Sequence, residues 1–243
     1  MQGQQQQAYD RGITIFSPDG RLYQVEYARE AVKRGTPSVG IRTSEGVVLA
    51  VDKRSRSPLM EADSIEKLHK VADHVGIASA GHGADARRLI DFARRQAQVE
   101  ELRYEEPIDV EVLTKAVTDN IQQYTQMGGV RPFGAALLIG GVSNGEPRLF
   151  ETDPSGTPNE WKAVAIGSDR ADVQDYLEEH WTPELTLDEG IELALGALNS
   201  IREEAPDPGE LALGVVATDT ERYRRLGNDE IQSHLEVLEE DEE

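Results

Sequence analysis

Cysteine is absent from the 243 residues, which excludes disulfides and thiol catalysis. Lysine is scarce: Lys33, Lys53, Lys67, Lys70, Lys115 and Lys162 are the whole set. Aromatic residues make up only 5%. No apolar run approaches the roughly 20 residues that span a bilayer. The longest runs, such as Ala135 to Val142, are far shorter. The start, Met1 to Gln7, is glutamine-rich and lacks the basic-then-apolar order of a secretory leader. These absences predict a cytoplasmic protein with no membrane partner.

Acid is what the chain has in excess: 46 Asp and Glu against 25 Lys and Arg, a formal net charge of −21. Phosphate backbones would be repelled, because nucleic-acid binding depends on cations that neutralise them. No nucleic-acid partner is expected. An acidic, lysine-poor surface suits a cytoplasm of molar salt, where screening shortens the range of self-repulsion. An ordinary acidic protein with a charged end is the plainer alternative. Glu236 and Glu239 to Glu243 account for only part of the excess.

Residues 1–12 are polar with two glycines and read as a mobile tail. Residues 13–238 read as one domain, and 239–243 as an acidic tail. Ser17-Pro18-Asp19-Gly20 is a turn signal. A helix follows, with Leu22, Val25, Ala28, Ala31 and Val32 on one face and Gly35 as its stop. It precedes every strand, so it cannot be a βαβ crossover. Strands are expected over 38–43 and 47–52, then over about 65–71 and 75–80. Helices over 84–102 and 110–126 come next, separated by Pro107. Strands over 135–142 and 148–152 join through Asn144-Gly145, a favoured two-residue turn. A strand over 161–167, helices over 171–179 and 187–204, a strand over 211–218 and a helix over 230–238 complete the chain. Strands in pairs and helices in pairs do not make the βαβα alternation of a parallel sheet. The order fits an α+β class of two stacked antiparallel sheets with helices on both outer faces.

Three short patterns invite chemistry. Gly81-His82-Gly83-Ala84-Asp85-Ala86 matches a dinucleotide fingerprint, with Glu100 and Glu101 about 20 residues on. A second helix follows it instead of a parallel strand, and Asp85 would repel a pyrophosphate. A tight strand-to-helix turn is the plainer reading. Gly141-Val142-Ser143-Asn144-Gly145 matches a nucleophile elbow, which requires a strand-turn-helix. Here a second strand follows, so Ser143 reads as a hairpin residue. His69, His74 and His82 match no common zinc spacing. Lys53, Arg54 and Arg56, and Arg222, Arg224 and Arg225, read as ion partners within or between chains.

The segment from Ala8 to Ala28, AYDRGITIFSPDGRLYQVEYA, is longer and more specific than any of these. It resembles the N-terminal signature of α-type proteasome subunits. The resemblance continues through Ser64-Ile65-Glu66-Lys67, Ala84-Asp85-Ala86-Arg87, residues 124–134 (YTQMGGVRPFG) and Asp153-Pro154-Ser155-Gly156. Its single-archetype character is archaeal and its acidity points to a haloarchaeon. The resemblance implies the four-layer αββα sandwich of N-terminal-nucleophile hydrolases. It implies a non-catalytic subunit of a threonine-type protease complex, with no cofactor and no metal.

The sister β subunits carry an N-terminal threonine whose free amine can act as base. Gly35-Thr36-Pro37-Ser38-Val39-Gly40 resembles that start, and Asp52 and Lys67 resemble the catalytic acid and lysine. Thr36 lies within the chain, so its nitrogen is an amide. The resemblance further implies a gate formed by Tyr9, Asp10 and Arg11, a gate-opening turn at Pro18 and Gly20, and a supporting cluster at Tyr27. It implies that Lys67, with Gly81 nearby, binds the C-terminal carboxylate of a docking ATPase. The expected partners are other α subunits in a heptameric ring, β subunits, that ATPase and unfolded protein substrates.

Overall fold

Every neighbouring pair of strands is antiparallel. A computed structural model describes residues 15–55, 57 and 59–241. Tyr9, Asp10, Arg11 and the rest of the expected tail at 1–12 lie outside the described residues, as do Arg56 and the last two residues. The first sheet contains β1 (Ser38–Arg42), β2 (Gly46–Asp52), β8 (Ala163–Ile166), β9 (Leu211–Ala217) and β10 (Arg222–Arg225), in the order β10-β9-β2-β1-β8. The second contains β3 (Leu68–Ala72), β4 (Val75–Gly81), β5 (Ala135–Ser143), β6 (Glu146–Thr152) and β7 (Pro158–Glu160), in chain order. Each residue of β2 is buried. A central strand covered on both faces needs a continuous apolar run rather than alternation, and GVVLAV supplies one.

The sheets face each other through Val47, Leu49, Leu138, Leu149, Val164 and Ile166. Helices α2 (Gly83–Tyr104) and α3 (Val110–Gln126) cover the outer face of the second sheet, burying Leu89, Ile90, Leu113 and Ile121 against Ile77 and Ile139. Helices α4 (Arg170–His180), α5 (Leu187–Asn199) and α6 (Asn228–Asp241) cover the first, through Val173, Leu177, Leu195, Leu198 and Ile231. The result is the αββα sandwich that the element order predicts. Among the described residues no helix is long and apolar enough to cross a membrane.

Helix α1 (Tyr23–Lys33) stands apart from the four layers and lies against β4 and β5. It buries Val25, Ala28 and Val32 from the predicted face. Arg29 fastens it to the sandwich by a two-pronged contact with Asp153, at 2.8 and 2.9 Å. Burial works to raise the Asp153 pKa, but Arg29 and Ser155 outweigh it and hold the carboxyl below its usual range.

Three boundaries and two strands stand out against expectation. Strand β3 begins at Leu68 because 62–64 form a 3₁₀ turn, with Ser64 Oγ donating to Glu61 O at 2.6 Å. Helix α5 ends at Asn199, which frees Arg202 to turn inward. Strands β7 and β10 went unpredicted: β7 is wholly exposed and starts with proline, and β10 is Arg-Tyr-Arg-Arg on a sheet edge. Edge strands bury little, so they carry little hydrophobic signal. Helix α6 continues to Asp241, into the run expected to be an acidic tail.

Candidate functional site

The C-terminal end of α1 leads through Gly35 into Thr36, just before β1. Gly35 N–H donates to Val32 O at 3.0 Å and closes the helix. The end of β4 meets this segment at Gly81, whose φ of +103° favours glycine. A side chain at Gly81 would put its first carbon 2.4 Å from Gly134 O and 3.1 Å from Val32 Cα. Backbone fills that space, so glycine is required there on two counts.

Lys67 precedes β3 and reaches into the same corner. Its ammonium lies 2.7 Å from Thr36 O, 2.8 Å from Thr36 Oγ1, 3.0 Å from Asp52 O and 3.1 Å from Pro37 O. Its three N–H donors therefore face four oxygens of its own chain. Burial pushes the Lys67 pKa down to about 7; the Asp52 charge opposes this and Arg54 adds to it. Thr36 Oγ1 donates its single proton to Asp52 O at 2.7 Å.

Asp52 does not offer its carboxylate to Lys67. Oδ1 accepts from Arg54 N–H at 2.7 Å, and Oδ2 lies 2.6 Å from Arg54 Nε and 3.2 Å from Arg202 Nη2. The Asp52 side chain is 0% exposed and that of Arg202 is 4% exposed. Arg202 Nη1 also donates to Glu210 at 2.7 Å. Thr36, Asp52 and Lys67 thus lie together in one corner, with the acid turned away from the amine.

A cleft of about 580 Å³ opens beside this corner. Gly35, Thr36, Lys67 and Gly81 line it, together with Arg54, Met60, Ile65, Glu66, His69 and Arg87. Burial, and then the charge of Arg94, holds the His69 pKa below its usual value. The structure thus brings Lys67 and Gly81 into one pocket. Pro18, Gly20 and Tyr27 lie toward the other end of α1. The turn is closed by Gly20 N–H to Ser17 O and Ser17 N–H to Arg21 O, both 2.9 Å, with Gly20 at φ +73°. Tyr27 is 51% exposed. Eleven helical residues, about 16 Å at 1.5 Å per residue, separate turn from cleft.

The tempting motifs have structural roles. Gly81-His82-Gly83 is a strand-to-helix turn, and the strand beside β4 is the antiparallel β5. Asp85 is bound by both Arg131 terminal nitrogens, one at 2.8 Å, and accepts from Gly134 N–H at 2.8 Å. Burial raises its pKa, but these partners outweigh it and leave the carboxyl below its usual range. Ser143 Oγ accepts from Val110 N–H at 3.0 Å, at the start of α3. Asn144 and Gly145 make the expected hairpin turn, both at positive φ. His74 Nε2 bonds Ile108 O at 2.7 Å, far from the cleft. Arg224 pairs with Glu230 at 2.6 Å and Lys53 with Asp63 at 3.4 Å, as ion partners within the chain.

Sequence reasoning missed Arg202 and Glu210, which follow a helix end that no pattern fixed, and the placing of Arg87 and Met60 on the cleft wall. The αββα sandwich of two antiparallel sheets between helices is the fold of the N-terminal-nucleophile hydrolases. The family described as "Proteasome subunit" matches residues 32–216, and the N-terminal signature of its A-type members matches residues 9–31. Proteasome subunit alpha 1 of Haloferax volcanii is 71% identical over 238 residues, covering 98% of this chain and 94% of that protein. Proteasome subunit alpha of Halobacterium salinarum is 68% identical, covering 98% and 95%. Proteasome subunit alpha 2 of Haloarcula marismortui is 63% identical, covering 98% of both chains. The chain belongs to the proteasome subunit family, on its α side and among haloarchaeal members.

Proposed function

We propose that this chain is a non-catalytic α subunit of a cytoplasmic 20S core particle. It forms an outer heptameric ring on the β subunits, and α1 packs between neighbouring copies. Tyr9, Asp10 and Arg11 gate the entry of unfolded protein. The cleft lined by Lys67 and Gly81 receives the C-terminal carboxylate of an activating ATPase, and Pro18, Gly20 and Tyr27 respond at the far end of α1.

One observation carries the non-catalytic part: each group of the Thr36 constellation is already committed. The Thr36 nitrogen is a peptide amide and cannot serve as a free-amine base. Its hydroxyl proton points to Asp52 O. The Lys67 ammonium is directed at the oxygens of Thr36, Pro37 and Asp52, and the Asp52 carboxylate at Arg54 and Arg202. A threonine inside the chain lacks the free α-amine that activates an N-terminal nucleophile.

The docking part is supported by the cleft, whose lining offers three cations, Lys67, Arg54 and Arg87, against one carboxylate, Glu66. Lys67→Glu tests it. ATPase-stimulated proteolysis should be lost while the ring and basal peptide hydrolysis by the β subunits persist. Unchanged stimulation would overturn the docking assignment.

A further inference from the structure

Strand β8 is the last strand of the first sheet, and β1 is its neighbour there. Lys162 O accepts from Arg42 N–H at 2.7 Å, which sets the alternation: Val164 and Ile166 also turn their main-chain groups toward β1. The N–H and C=O groups of Ala163 and Ala165 therefore point away from the sheet. An apolar run, Ala-Val-Ala-Ile, with outward main-chain groups is an edge on which another strand adds. A single side chain meets it. Gln174 of α4 accepts from Ala165 N–H through Oε1 at 3.2 Å and donates from Nε2 to Ala163 O at 3.4 Å. Nε2 also donates to Glu178 Oε1 at 3.4 Å, one turn on. The carboxamide thus stands where the peptide groups of a neighbouring strand would stand. A groove of about 520 Å³ opens beside it, walled by Trp161, Lys162, Leu177 and Trp181, so the edge can be approached from solvent.

We infer that the outer edge of β8 is a pairing surface for β8 of a second copy of this chain, and that Gln174 holds it closed. The strand is self-complementary about Val164. In an antiparallel two-fold pair, Ala163 of one copy faces Ala165 of the other. Ala163 O and Ala165 N–H, the two groups that Gln174 occupies, then bond across the axis. Net charge does not keep copies apart in molar salt, which screens charge beyond about 3 Å. A short-range contact such as the Gln174 amide does.

The experiment uses the purified full chain in molar salt, as wild type, Gln174→Ala and Gln174→Glu. Alanine keeps the helix and removes the amide. Glutamate can still accept from Ala165 N–H, and it brings a charge to the edge. Native mass reads association, and hydrogen exchange of residues 161–167 reads the edge itself. Wild type and Gln174→Glu should share one assembly size. Gln174→Ala should also form species of twice that mass or more, increasingly with concentration. At low concentration its Ala165 amide should exchange about fivefold faster, the effect of losing one neutral hydrogen bond. The paired species should protect that amide again. Unchanged exchange in Gln174→Ala would mean that the amide does not hold the edge, and the proposal falls. Faster exchange without association, association that leaves the segment unprotected, or equal association of Gln174→Glu would overturn it as well.

Discussion

Two buried aspartates lie near the cleft, and the protein holds them differently. Asp52 is fully enclosed, and one of its two arginine partners, Arg202, is 4% exposed. Asp85 is nearly as enclosed, but its partner Arg131 is 59% exposed and reaches in from the surface. Both resemble pieces of catalytic machinery in the sequence, one an acid of a threonine hydrolase and the other part of a nucleotide loop. Each is instead a structural anion tied to arginine. They differ in what remains when the arginine is removed: water can reach the Asp85 side and cannot reach Asp52.

That difference sets the size of the expected effects. Arg202→Met leaves Asp52 with Arg54 alone and a carboxylate oxygen buried without its second cation. The expected loss is about 3–5 kcal/mol of unfolding free energy, the scale of breaking a buried ion pair. Arg131→Met removes a two-pronged contact that solvent can partly replace, and Gly134 N–H still serves Asp85. About 1–2 kcal/mol is expected, between an exposed pair and a charged hydrogen bond. Denaturant titrations of both variants check the ranking, and equal losses would erase the contrast between the two sites.

The dependence on pH tests the burial of Lys67 beside Asp52. Lys67 titrates at about 7 in the folded chain against an ordinary 10.5. Between those values the unfolded chain holds a proton that the folded chain has released, so raising the pH favours folding. The cost of burying the ammonium is complete below about pH 7 and gone above about 10.5. Against Lys67→Met, which lacks the amine, wild-type stability should therefore rise as pH climbs from 7 to 10.5. A pH-independent difference would mean that the Lys67 amine keeps its ordinary pKa within its ring of oxygens.

Much of the scaffold was legible in the sequence because burial writes a periodic signal. Val25, Ala28 and Val32 marked the inward face of α1, GVVLAV marked a central strand, and Asn144-Gly145 marked a hairpin. The site was legible only in part. Thr36, Asp52 and Lys67 could be singled out by resemblance, but most hydrogen bonds of Thr36 and Lys67 run to main-chain oxygens, which every residue has and no sequence pattern marks. The Asp85–Arg131 pair spans 46 positions, and nothing local in either residue points to the other. Arg202 was expected inside a helix, and only the early end of α5 turns it toward Asp52. The exposed edge strands β7 and β10 escaped for the opposite reason: they bury too little to leave a pattern.

The central claim is that this chain builds a ring and leaves peptide hydrolysis to its β partners. The most direct test is native mass of the purified chain in molar salt, with a peptide-hydrolysis assay on the same sample. The account predicts rings of seven copies with no hydrolysis. A stable monomer, or hydrolysis that disappears in Thr36→Ala, would contradict it.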